Sequence, residues 1–194
     1  MKSGTSKLLT TALFLLLLIG IPLLLLLLNS NGQRKGQITV DAVIEAPFVT
    51  QASSKETVLL FFGYVGCSAI CSPFLEELHD FYRDPRLDTK RDEIDVLFVN
   101  LLSDIEPEQA DQFAQSFDSD FKGLYLDTAA LRKIEREFQL LFSPSLLEKN
   151  ELNHTDHLYL LQRTDDERWH LERYYFIHPL NHELLYKDLL KEDR

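Results

Sequence analysis

Between Val58 and Tyr64 the chain is apolar or aromatic at every position except Gly63, and it then reaches Cys67 and Cys71, its only two cysteines. An unbroken apolar run of this length fits a strand buried on both faces, the kind that lies centrally in a sheet covered by helices. A helix is expected next. Pro73 suits a first helical turn, and Leu75, Leu78 and Tyr82 keep one face apolar while Glu76, Glu77 and Asp80 fall on the others. The cysteines thus sit at a strand-to-helix junction, where backbone N–H groups and the helix dipole favour thiolate.

The N-terminal region sets a second constraint. Leu8 to Leu28 is uncharged and mostly leucine, and a helix rising ~1.5 Å per residue there would cover about 30 Å, the thickness of a hydrocarbon core. No small-x-small cleavage site follows in Asn29-Ser-Asn-Gly, so residues 1–28 read as an uncleaved anchor with one transmembrane helix. Residues 29–37 are polar and read as a linker, leaving residues 38–194 as one domain. Lys2 and Lys7 precede the apolar run and Arg34 and Lys35 follow it, so the positive-inside balance is nearly even. With the short N-terminal tail cytoplasmic, the domain is expected on the periplasmic side of a bacterial inner membrane. In that oxidising compartment two cysteines tend to form a disulfide or hold a metal.

Charge narrows the partners. The chain has 20 basic and 31 acidic residues, a net charge of −11, and without Lys2 and Lys7 the remainder stands at −13. Nucleic acid is therefore an unsuitable partner, and the acidity serves solubility first.

Taken in order, Ile38 to Ile44 alternates weakly and reads as an edge strand ended by Pro47. After the cysteine junction, Asp84-Pro85-Arg86 closes the first helix, and Arg86 to Glu93 reads as a charged loop. Ile94 to Leu102 is a second interior strand. Pro107 with Glu106, Glu108 and Asp111 opens a helix whose Ala110, Phe113, Ala114 and Phe117 share helical spacing. Gly123 to Leu126 is a short strand, and Asp127 caps a helix with Ala130, Leu131, Ile134 and Phe138 as its buried stripe. Phe142 to Asn153 reads as a long loop. Leu158 to Gln162 and Trp169 to Phe176, joined through Thr164–Glu167, form an antiparallel hairpin, and His182 to Leu190 is a closing helix with Leu184, Leu185 and Leu189 inward. The order βα, βα, βα, ββ, α is that of an α/β fold, a thioredoxin-like sandwich with a central mixed β-sheet.

Two chemistries suit the cysteines. On a helix, residues four apart share a face with Cβ atoms about 5–6 Å apart, so Cys67 and Cys71 could hold a soft d¹⁰ ion such as Cu(I), with an imidazole as third donor. The same pair could close a disulfide. Spacing alone does not choose between them.

The segment Leu59-Leu-Phe-Phe-Gly-Tyr-Val-Gly-Cys67-Ser-Ala-Ile-Cys71-Ser-Pro73 resembles the SCO/SenC family of membrane-tethered copper chaperones. Val96-Leu-Phe-Val-Asn, Pro107-Glu-Gln-Ala-Asp-Gln-Phe and Phe117-Asp-Ser-Asp-Phe-Lys-Gly123-Leu are similar to that family's middle section, so the likeness runs from about Val43 to Leu190. It implies copper as the bound metal and Cys67 and Cys71 as ligands. The family's histidine lies five positions before a Tyr-Leu pair that opens a strand, which implies His154 as the third ligand. His157 is the fallback, although in extended chain an odd offset turns it to the opposite face. The implied role is a copper-binding assembly factor that delivers the ion to a copper-receiving membrane oxidase subunit of cytochrome c oxidase or a similar cuproprotein. A thiol-disulfide oxidoreductase using Cys67 and Cys71 as its redox pair, or a redox sensor, is the alternative.

Two positions depart from the family pattern. Ser68 stands where a proline often follows the first cysteine, and Asn153 where an aspartate often precedes the histidine, removing a carboxylate that would orient the imidazole. His79, His170, His178 and His182 stand apart from any second ligand-type cluster and read as surface or satisfied structural residues. Asp165 and Asp166 are turn acids, and Phe113, Phe117 and Trp169 are packing residues. There is no Gly-rich phosphate loop, Gly-x-Ser-x-Gly or His-Glu-x-x-His motif.

Overall fold

The structure, a computed structural model, describes residues 14–23, 36–145 and 151–190. The two longest apolar runs of the domain become its central parallel pair. Strands β2 (Thr57–Gly63) and β3 (Ile94–Asn100) pair in parallel register from Thr57↔Ile94 to Gly63↔Asn100. Every residue of β3 and all but Thr57 of β2 are buried, as a strand covered by helices on both faces requires. β4 (Lys122–Tyr125) adds in parallel outside β3. On the other side β7 (His157–Arg163) pairs antiparallel with β2, β8 (Trp169–Phe176) with β7, and β1 (Gln37–Ile44) with β8. The mixed sheet reads β1-β8-β7-β2-β3-β4.

Alternation along these strands divides the core into two layers. One face, with Leu59, Phe61, Phe98 and Leu158, is covered by α3 (Cys71–Tyr82) and α6 (His182–Leu189) through Phe74, Leu75, Leu78, Leu185 and Tyr186. α4 (Pro107–Gln115) contributes Ala114 and Phe113 to the same layer. The other face, with Leu60, Phe62, Leu97 and Tyr159, is covered by α2 (Pro47–Ala52) and α5 (Thr128–Ile134) through Val49, Leu131 and Ile134, and by Phe138 beyond the end of α5. Asp127 caps α5 as expected, its carboxylate accepting from the Ala130 N–H at 2.7 Å.

Several expectations are corrected. Pro47 does more than end β1: it opens the short helix α2, whose first turn tolerates the missing N–H. β1 begins at Gln37, which pairs with Tyr175, so the linker stops one residue earlier than expected. The strand also carries a bulge between Thr39 and Ala42, with Asp41 at φ 56, which explains its weak alternation. Strand, not loop, stands at both described ends of the stretch Phe142–Asn153, whose residues 146–150 lie outside the described residues. β5 (Phe142–Pro144) pairs antiparallel with β6 (Leu152–His154) as a separate two-stranded ribbon, and three-residue strands are too short for alternation to reveal them. Of the expected anchor, residues 14–23 form helix α1 with mostly exposed apolar side chains, and the remainder lies outside the described residues. Among the described residues no helix is long and apolar enough to cross a membrane.

Candidate metal centre

The cysteine junction is built by the exit of β2. Gly66 takes φ 87, a conformation that side chains disfavour, and turns the chain so that the Cys67 N–H donates to the Tyr64 carbonyl at 3.2 Å. Cys67 is therefore not on the helix. Cys71 is the first residue of α3, and its N–H donates to the Cys67 sulfur at 3.3 Å, so that sulfur serves one of the donors a helix N-terminus leaves over. The Ser72 N–H and hydroxyl both donate to the Cys67 carbonyl, at 3.1 and 2.9 Å. Both cysteines are free thiols and buried. Gly63 leaves room for the second of them: a Cβ there would stand 2.9 Å from the Cys71 sulfur.

The third donor arrives from β6. The β5–β6 ribbon carries His154 across 83 positions of sequence to put Nε2 3.7 Å from the Cys71 sulfur. The His154 Nδ1 lies 3.1 Å from the Thr155 carbonyl, an acceptor only, so Nδ1 holds the proton and Nε2 turns its lone pair toward the sulfurs. Asn153 does not orient the ring; the backbone of the next residue does. Edge-to-face contacts with Tyr64 and Phe61, at 5.9 and 6.3 Å between centroids, wall the imidazole in.

One sulfur atom from each cysteine and one nitrogen from His154 all lie within 4.8 Å of one another, the one such group of three His, Cys, Asp or Glu residues among the described residues. A trigonal ion with bonds of about 2.3 Å to sulfur and about 2.0–2.1 Å to imidazole would hold sulfur and nitrogen about 3.8 Å apart. The Cys71–His154 separation already meets that spacing.

The thiols are electrostatically unequal. The hydrogen bond with Cys71 pulls the Cys67 thiol down to about 3 against the cost of burial, with further help from the Cys71 and Ile70 backbone. The reciprocal hydrogen bond and burial push the Cys71 thiol up. Cys67 is thus the member of the pair that ionises more readily. Burial, and next a hydrogen bond to Cys67, raise the Tyr64 hydroxyl, keeping it a donor toward that sulfur.

His157 does not join the site. It stacks on Tyr174 at 4.5 Å between centroids, in the layer of Tyr159, and its buried Nδ1 has no hydrogen-bond partner among the described residues. The other histidines sit beside acids: His79 with Asp118, His170 with Asp41 and Glu172, His178 with Asp156, and His182 with Glu77. They are structural in that sense, as expected.

Three supporting residues escaped the sequence reading: Tyr64, Thr155 and Asn100. Asn100 is fully buried at the end of β3, where its Oδ1 accepts from the Val65 N–H at 3.1 Å and its Nδ2 donates to the Leu102 carbonyl at 2.6 Å. The signal was present, because an amide closing an otherwise apolar strand needs partners. Asn100→Ala is expected to lower stability by about 1–3 kcal/mol, the cost of orphaning buried backbone groups. Hydrogen exchange should then quicken first at Val65; unchanged exchange there would remove Asn100 from the support of the cysteine loop.

Residues 45–174 match the family model described as SCO1/SenC. The chain is similar to the solution structure of apo Sco1 from Thermus thermophilus, with 25% identity and a TM-score of 0.57 over 80% of this chain and 91% of that one. It is also similar in fold to Bradyrhizobium japonicum ScoI with copper bound, at 23% identity and a TM-score of 0.56 over 72% and 86% of the two chains. Yeast Sco1 with copper bound gives 15% identity and a TM-score of 0.53 over 71% and 75%. No curated protein gives a significant sequence match.

Proposed function

The chain belongs to the SCO1/SenC family, and from that premise we propose that it is a membrane-anchored copper carrier that hands the ion to the copper centre of an oxidase such as cytochrome c oxidase. The observation that carries this reading is the convergence of Cys67, Cys71 and His154 within 4.8 Å, with the imidazole tautomer set by the Thr155 carbonyl. Two sulfurs and one nitrogen are a soft donor set suited to Cu(I). Copper is the cargo: Cys67 meets it as thiolate, Cys71 gives up its proton on binding, and Nε2 of His154 completes the set. The solved copper-bound ScoI and Sco1 proteins support the choice of metal. The uncharged run Leu8–Leu28, helical over residues 14–23, supports an anchor, and a cytoplasmic N-terminal tail would put the domain on the periplasmic side.

Anaerobic Cu(I) titration of the domain against a competing chelator is expected to give about one ion per chain, as one three-donor site permits. Cys67→Ser is expected to abolish that stoichiometric binding, and full retention of copper by the variant would end the proposal.

A second reading, thiol-disulfide exchange with the cysteines of a partner, is favoured by one specific observation. The Cys71 N–H donates to the Cys67 sulfur at 3.3 Å, which favours its thiolate, the form that attacks a disulfide. It needs Cys67 and Cys71 but not His154.

A further inference from the structure

The described chain joins the sheet at a definite end. β2 runs toward the cysteines, so its last residue, Gly63, marks the site end. β7 is antiparallel to it and begins there, with Leu158 opposite Phe61. β8 is antiparallel to β7 and finishes there, with Phe176 opposite His157. β1 is antiparallel to β8 and must therefore start at the same end: Gln37 faces Tyr175, and the Gly36 carbonyl accepts from the Phe176 N–H at 2.9 Å. The segment leading from the apolar run thus enters at the same end of the sheet as the cysteines, at the outer strand β1, three places from β2. The opposite end, with the Thr164–Glu167 turn, is a full strand length away.

We propose that this attachment turns the Cys67–Cys71–His154 end of the domain toward the bilayer, so that the acceptor of the metal is a membrane protein whose receiving site stands close above the lipid surface. This rests on the anchor reading of Leu8–Leu28. From Leu28 to Gly36 a backbone of that many residues can span at most about 28 Å. Seven-residue strands at ~3.3 Å per residue make the sheet about 23 Å tall. Presenting the opposite end to the membrane would require the connection to climb that height. Presenting the site end requires no extension.

Charge defines the acceptor further. The described segments that meet at the site end, 64–70, 101–106, 126–127, 151–156 and 177–181, contain Asp104, Glu106, Asp127, Glu151 and Asp156 but no lysine or arginine, and against these five acids Arg34 and Lys35, just ahead of Gly36, set two positive charges. Like charges facing one another across an interface repel, so the receiving face is basic or neutral at its rim.

The test uses the full chain reconstituted into phosphatidylcholine vesicles doped with a nickel-chelating lipid. Spin labels are placed through a ketone-bearing amino acid, which leaves both cysteines intact, at Leu141→p-acetylphenylalanine beside His154 or at Asp165→p-acetylphenylalanine in the distant turn. Both positions are exposed, and Leu141 joins the site through its carbonyl, which accepts from the Thr155 N–H at 2.8 Å. Relaxation enhancement by the headgroup nickel is expected to be severalfold larger at 141 than at 165. Equal or reversed enhancement in protein that stays with the vesicles through an alkaline carbonate wash would overturn this orientation alone. Release of the protein by the wash would overturn the anchor reading and the orientation with it.

Discussion

His154→Ala is expected to weaken Cu(I) binding more than about 100-fold, since loss of a residue that merely supports a ligand already costs about 10–100-fold. Thiol-disulfide exchange with a small disulfide should stay within about tenfold of the parent, because the Cys71 hydrogen bond, first among the influences on the Cys67 thiol, is untouched. The two measurements, chelator competition and stopped-flow exchange, separate the two readings of the same cysteines. His157→Ala is the control. That ring stacks on Tyr174 in the layer of Tyr159, so its removal should leave copper affinity unchanged. Equal copper affinity in the parent and the His154→Ala variant would remove the imidazole from the site and leave a dithiol protein.

How far the sequence could be read depended on the kind of interaction that forms each element. β2 and β3 were legible because burial on both faces keeps their runs apolar, with Asp95 and Asn100 the polar exceptions in β3 and Thr57 at the start of β2, and α3 because one face had to stay apolar along its length. The cysteine pair was visible by chemistry alone. Its geometry was not: the i, i+4 rule places both residues on a helix, whereas Cys67 lies in the turn before α3 and caps it with sulfur. Nothing in residue spacing distinguishes these, because the turn at Gly66 is decided by backbone dihedrals.

The histidine is a different case. Its convergence on Cys71 spans 83 positions and depends on strands of three residues each, so no local period could have placed it, and only the resemblance to a family did. The atom that fixes its tautomer is a backbone carbonyl, an acceptor every residue possesses and no sequence pattern marks. That contact also explains how the site keeps an oriented imidazole with Asn153 in place of an acid. Orientation here comes from chain geometry in the Leu141–Thr155 corner, where the Thr155 N–H donates to the Leu141 carbonyl at 2.8 Å and its hydroxyl accepts from the Leu141 N–H at 2.9 Å.

Gly123→Ala is expected to give the largest loss of stability, for a reason no composition reveals. A Cβ at this position would lie 1.9 Å from the Ala110 carbonyl oxygen and 2.5 Å from the Asp111 nitrogen, both main-chain atoms of α4 that cannot rotate aside. The helix sits this close because Ala110 and Ala114 present small side chains, and because the Asp111 carboxylate reaches across to accept from the Gly123 N–H at 2.9 Å. A methyl group must therefore lift α4 from β4. That would also pull Phe113 away from Phe98, whose ring centroid is 5.2 Å distant. Overpacking of a rigid contact costs about 3 kcal/mol or more, which for a domain of this size lowers the melting temperature by about 10 °C. Thermal unfolding followed by circular dichroism reads this directly, and a shift of less than about 2 °C would show that the helix moves freely over the strand. Copper stoichiometry per folded molecule should not change, because β4 is the sheet edge beyond β3, whereas the donors come from the β2 exit, α3 and β6. A variant that lost copper while keeping its melting temperature would instead couple this edge to the metal centre, contrary to the division of labour that the topology implies.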